Sequence, residues 1–251
     1  TVSAVIWQWH APELRRRTTI TLRRALAAHR GVAESRLGEH ASLQYAKVAE
    51  YQDRGLVHFH ALIRLDGPAA QGTGAPAPDS VTAETLAGII REVAPTVTVT
   101  AEPVDDHDQA RILAWGAQLD VRVVTGTRRT DDPGAELTPG QVAGYLAKYA
   151  TKDASDLHGH GQHRAHITTM RAVCTNLADR AAAHHERGHD YQRMGKWVHM
   201  LGFRGHFGPS RAATPSPSEP CAGPAPAGRC SPHSPAAPGY PSTSATSSAG
   251  S

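Results

Sequence analysis

The sequence predicts an α+β domain built on an antiparallel sheet. Three observations carry this. Residues 43–51 and 56–65 are strand-like and flank Gln52-Asp53-Arg54-Gly55, a turn cluster. Helical patterns precede this pair at 11–30 and follow it at 81–93, 138–152, 167–186 and 190–201. Further β-rich stretches lie at 96–100 and within 113–124, the second with Leu119, Val121 and Val123 on one face. The order is helix, hairpin, helix, strands, helices, which suits a layered α+β structure.

Each element has a local cause. Pro12 suits the first turn of a helix, and Leu14, Ile20, Leu22 and Leu26 continue a partial apolar stripe. Arg15, Arg16, Arg17, Arg23 and Arg24 decorate its other faces, either as a solvated surface or as phosphate contacts. Residues 67–80 (GPAAQGTGAPAPDS) read as a flexible insertion. Thr138-Pro139 opens a helix with Thr at the N-cap and Pro at N1.

The chain has 251 residues and a formal net charge of +3, which allows a nucleic-acid partner without demanding one. No apolar run approaches the roughly 18 residues of a membrane helix. Cys174, Cys221 and Cys230 form neither a disulfide framework nor a zinc ladder, and the N-terminus lacks the layout of a signal peptide. A cytoplasmic location is expected. Ten of the 18 prolines lie after Gly208, so 208–251 reads as a disordered Pro/Ser/Ala-rich tail. The expected organisation is a helical segment 1–42, a core 43–207 and that tail. The first residue is Thr1, so the natural start is expected upstream.

Two constellations carry chemistry. The first is EYQDRGLVHFH. His58 and His60 alternate about Phe59 and share a strand face. A three-residue turn, Asp53-Arg54-Gly55, with Gly55 left-handed, pairs Gln52 with Leu56 and Tyr51 with Val57. Glu50 then stands opposite His58 and Val48 opposite His60. A two-residue turn puts Glu50 on the other face. Two imidazoles and a carboxylate suit Mn²⁺ or Mg²⁺, with Zn²⁺ also compatible. The plainer alternative is a strand with two half-exposed histidines.

The second is GYLAKYATKD. Tyr145 and Tyr149 are four residues apart, and so are Lys148 and Lys152, so each pair shares a helix face. A phenol becomes a competent nucleophile when a metal or lysine favours the phenolate. Here the alternative is an amphipathic helix with half-buried tyrosines and snorkelling lysines. His158, His160, His163 and His166 read as solvated loop residues, and His184, His185 and His189 as a helix terminus. Trp197, Met200, Leu201 and Phe203 read as packing residues, and Cys174 as a buried small residue.

VHFHALIRL resembles the His-hydrophobic-His motif of HUH endonucleases, and GYLAKYATKD resembles the tyrosine motif of rolling-circle replication initiators. The doubled Tyr-x-x-Lys-Tyr form is similar to the phage A-protein type, in which two tyrosines alternate as nucleophile. With YAKVAE at 45–50 and HMLGFRGHF at 199–207, the chain resembles the RepSA-type initiators of actinomycete plasmids over residues 4–207. The resemblance implies a central antiparallel sheet bearing the histidines and flanked by helices. It also implies a metal held by Glu50, His58 and His60, attack by Tyr149 or Tyr145, and support from Lys148 and Lys152. The partners implied are single-stranded or extruded origin DNA and host replication proteins, with no membrane. Two other readings stay open: a DNA-binding protein without catalysis, and an inactive truncated remnant.

Relatives carry an upstream Thr/Leu-rich strand motif and, after the core, a basic stretch resembling TKSRRYSVTLGALR. This chain matches neither. Codons compatible with GPSRAATPSPSEPC read SKSRRYSVTLGALR in a shifted frame, so an out-of-frame tail is expected after about Phe207.

Overall fold

The computed structural model describes residues 1–124, 162–184, 190–205 and 210–211, together with positions 140 and 144. All of these lie in one compact unit, Thr1–Thr214. Helix α1 spans Val2–His29. A 3-10 turn, Glu34–Arg36, leads into the one-turn helix α2, Leu37–His40. Strands β1 (Ser42–Tyr51) and β2 (Val57–Asp66) form the expected antiparallel hairpin. Helix α3 (Ala83–Val93) follows, with the Thr82 side chain accepting the Thr85 N–H as N-cap. Strands β3 (Thr98–Ala101) and β4 (Arg111–Ala114) pair antiparallel. Then come helix α4 (Gln162–Ala183), a run of 3-10 turns over Asp190–Met200, and the short strand β5 (Ser210–Arg211). The larger sheet has the order β2-β1-β5, so the chain is α+β with antiparallel strands.

Several elements differ from their sequence-based bounds. Helix α1 starts nine residues before the expected position 11 (11 against Val2), and Pro12 lies inside it. An interior proline costs about 3 kcal/mol. The cost is met because the apolar stripe runs straight through it: Val5, Ile6, Trp9 and Leu14 are all buried. The strand expected within 113–124 is confined to Arg111–Ala114. Beyond it, Leu119 N–H turns back to the Ala117 carbonyl, and Arg91 Nη2 takes the Val121 carbonyl at 2.7 Å. A backbone committed to those partners offers no ladder, and Leu119 is exposed. The insertion at 67–80 is anchored, since Gly74 N–H donates to Asp66 Oδ2 at 2.8 Å and Gly67 N–H to the Ala75 carbonyl at 3.0 Å. Ser210–Arg211, beyond the expected core boundary, pairs with Lys47 and Ala46 of β1. Apart from positions 140 and 144, which are helical, the expected helix 138–152 lies outside the described residues, as do the histidines at 158, 160, 185 and 189 and the side chain of His163.

Helix α1 organises the core. Ala11 packs with Ala49, Val57 and Phe203 beneath the hairpin, with Phe59 at their margin. Trp7 donates from Nε1 to the Ala114 carbonyl (2.8 Å) and meets Trp115 edge-on, with ring centroids 6.0 Å apart. Trp115 in turn donates to Thr18 Oγ1 (2.8 Å) and abuts Phe59. On the helix's other side His10 Nε2 lies 2.9 Å from the Tyr191 hydroxyl. Arg204 stacks over Trp9 and pairs with Asp190. Burial, reinforced by the Arg204 charge, lowers the His10 pKa to about 4. Cys174 is fully buried, and its thiol is pushed up to about 12 by that burial.

Gly55 is left-handed (φ +73°), and a Cβ there would sit 2.6 Å from Ile167 Cδ1 and 3.0 Å from Met170 Sδ. Gly55→Ala is expected to lower the unfolding free energy by about 1–3 kcal/mol, read as a fall in the urea midpoint. For His10, the unfolded chain protonates first, near pH 6.5, and the folded chain only near 4. Its contribution is therefore complete above pH 6.5 and is lost as the pH falls towards 4. His10→Gln should flatten the pH dependence of the urea midpoint across that window; an unchanged slope counts against it.

Candidate functional site

The hairpin turn has the three-residue form. Gly55 N–H donates to the Gln52 carbonyl (2.7 Å), and Gln52 N–H donates to the Leu56 carbonyl (2.9 Å). This is a tight turn closed by a left-handed glycine. It sets the register: Tyr51 opposes Val57, Glu50 opposes His58, and Val48 opposes His60. Glu50, His58 and His60 thus lie on one face of the sheet, and Lys47, Ala49, Tyr51, Val57 and Phe59 on the other.

The three side chains are close neighbours. His60 Nε2 lies 2.9 Å from Glu50 Oε1, and both side chains are only 14% exposed. The His58 and His60 rings have centroids 4.7 Å apart at an interplanar angle of 59°. His58 Nδ1 faces Gln52 Nε2 at 3.4 Å, and Gln52 Oε1 accepts from Arg54 Nε at 3.0 Å. Burial, and next the neighbouring His60, hold the His58 pKa below its ordinary value. Neutral imidazole is the form that binds a metal. Among the described residues, no three His, Cys, Asp or Glu side chains already converge as a ligand group. The donors share a face, and His58 has its Nδ1 against Gln52.

On the opposite face Lys47 is buried, with Nζ 5.6 Å from the Phe59 ring centre. Its pKa is lowered to about 8 by burial and by Arg15. Three of the five α1 arginines face carboxylates: Arg16 and Arg17 meet Glu13, and Arg24 meets Glu34. Arg15 reaches the Tyr45 hydroxyl at 3.3 Å. The helix is therefore less basic than its sequence suggests.

Tyr145, Lys148, Tyr149 and Lys152 lie outside the described residues. The sequence reading missed two amides that bond to the hairpin: Gln52, against His58, and Gln8, whose Oε1 accepts from Val57 N–H at 2.9 Å. The one signal for Gln8 was a lone amide inside the apolar run AVIWQW.

A family described as RepSA, Replication initiator protein, pSAM2, has a model that matches residues 1–211. The chain belongs to this family. The match is slightly wider at both ends than the 4–207 read from the motifs. A replication initiator protein of Streptomyces ambofaciens is 38% identical over 217 residues, covering 81% of this chain and 44% of the relative. The chain thus spans under half the length of the curated relative it matches. No solved structure matches it. No helix among the described residues is long and apolar enough to cross a membrane.

The His60–Glu50 contact is largely buried, and a His60 N–H donated to the carboxylate is charge-assisted. Glu50→Ala should cost about 1–3 kcal/mol in urea unfolding. Glu50→Gln, whose amide oxygen still accepts, should cost less than half as much.

Proposed function

We propose that this chain is the core of a plasmid rolling-circle replication initiator of the HUH type, acting on single-stranded or extruded origin DNA. The observation that carries the reading is the Glu50–His58 register, which puts a carboxylate on the histidine face of the hairpin. Membership of the initiator family supports it. A cytoplasmic setting and host replication proteins as partners belong to the same reading.

The donor set fits a hard divalent cation such as Mn²⁺ or Mg²⁺. Burial favours the neutral imidazole of His58, and His60 and Glu50 add a second ring nitrogen and a carboxylate oxygen on the same face. Such a cation, when bound by Glu50, His58 and His60, would polarise the scissile phosphate. The chain's own chemistry falls to the tyrosine segment. The phenol oxygen of Tyr149 or Tyr145 attacks phosphorus, a Tyr–O–P bond forms and the P–O3′ bond breaks. The phenolic proton ends on the departing 3′ oxygen. The products are a 5′-phosphotyrosine and a free 3′-OH that a polymerase can extend. The second tyrosine can repeat the exchange after one round. Lys148 and Lys152 would stabilise charge on the phosphoryl oxygens.

The test is covalent capture. Purified protein with origin single strand and Mn²⁺ should give a protein–DNA adduct that survives denaturation and that EDTA abolishes. Tyr149→Phe and Tyr145→Phe assign the first attack. The double variant should give no adduct, and an adduct that persists in it defeats the proposal. DNA binding without any adduct points instead to a non-catalytic binder, and neither to an inactive remnant.

A further inference from the structure

The rung next to Glu50–His58 is Tyr51–Val57, and both of its members are held from outside the hairpin. The Tyr51 hydroxyl donates to the Met200 carbonyl. Val57 N–H donates to Gln8 Oε1 at 2.9 Å, and Gln8 Nε2 donates to the Leu201 carbonyl at 2.8 Å. The links close a ring: Tyr51, Met200, Leu201, Gln8, Val57 and back across the rung. Gln8 is fully buried, so its amide has no water to exchange with.

The turn at Met200–Phe203 is itself under constraint. Leu201 has φ +50°, and it is the one described non-glycine residue in the left-handed region. Gly202 follows at φ +85°, where a Cβ would meet Val5 Cγ1 at 3.2 Å and the Val5 carbonyl at 3.3 Å. A leucine in this conformation persists only where its surroundings hold it there. Two carbonyls in succession, Met200 and Leu201, are aimed at the two ends of one hairpin rung. Phe203 then packs beneath Phe59, the residue between the two histidines, at 5.8 Å between ring centres.

We infer that Gln8 and Tyr51 are positioning residues for the Glu50–His58–His60 cluster, acting through the Tyr51–Val57 rung and the strained Met200–Gly202 turn. In its catalytic aspect this rests on the reading given under Proposed function. Neither residue lies on the histidine face. Their part is to fix where that rung sits on α1 and on the 200–203 turn, and so where the adjoining Glu50 and His58 stand.

The experiment uses the full chain and two readouts. Mn²⁺ binding is titrated calorimetrically in the wild type, Tyr51→Phe, Gln8→Leu and a control, Ile89→Ala, which opens the core at α3, an element that packs mainly on α1. In parallel, the His58 and His60 imidazole nitrogens are followed by NMR in the metal-free proteins. Loss of an outer support typically weakens metal binding about tenfold to a hundredfold. Gln8→Leu should fall in that range and Tyr51→Phe at or below its lower end, and both should change the imidazole pattern. Ile89→Ala should lose stability with affinity and pattern unchanged. The inference is overturned if the clamp variants lose stability alone, or if the control perturbs the imidazoles equally. If the wild type binds no Mn²⁺, the metal reading fails, while the imidazole signals still decide whether Gln8 and Tyr51 position the histidines.

Discussion

Gly55 answers two demands at once. The chain must reverse there with φ +73°, and it must do so pressed against Ile167, Met170 and Leu201. A side chain would be strained by the first demand and displaced by the second. The reversal has three residues, so every later pairing in the hairpin follows from it by counting. One position of slippage would carry Glu50 to the core face and a lysine towards the histidines. The site is thus specified less by its own side chains than by a turn that begins three residues beyond Glu50, and by the helix that turn rests on.

That helix, α4, sits ten residues after Lys152 in the chain (162 against 152). The segment bearing the tyrosines is therefore joined through a short connection to the element that packs on the histidine hairpin. At the other extreme, Gln8 lies 193 residues from Leu201 in sequence and hydrogen-bonds to it. The first helix and the last turn meet over the hairpin. The site depends on both ends of the compact unit, and cannot be regarded as a local motif with optional flanks.

The hairpin was legible because its determinants are local. A turn cluster, an alternating strand and a left-handed glycine lie within a dozen residues, and together they fix which residues share a face. The length of α1 was not legible, because Pro12 is a local signal for a helix start and the burial of Val5, Ile6 and Trp9 is a tertiary effect that overrides it. The strand anticipated within 113–124 stops at Ala114 for the converse reason. Its alternation is real, but Arg91 occupies the backbone carbonyl a neighbouring strand would need. Of the candidate site, spacing put His58 and His60 on one face, while the place of Glu50 followed only on a three-residue turn, which the register shows. Gln8 was not legible, since nothing in AVIWQW says which distant carbonyl the amide will meet.

Gln8 also bears on how the molecule behaves towards copies of itself. Among the described strands β2 lies at the margin of the sheet, and the amides of Val57, Phe59, Ala61 and Ile63 point away from β1. A strand of ten residues with a run of outward amides is a template for lengthwise pairing with another chain. The Gln8 side chain occupies the first of them and welds that end of the strand to a buried helix. A second strand docking there would have to start short, beside the exposed Ala61 and Leu62, and would lose the cooperative grip of a full-length ladder. The same amide that steadies the hairpin from within thereby fills the first position on its edge.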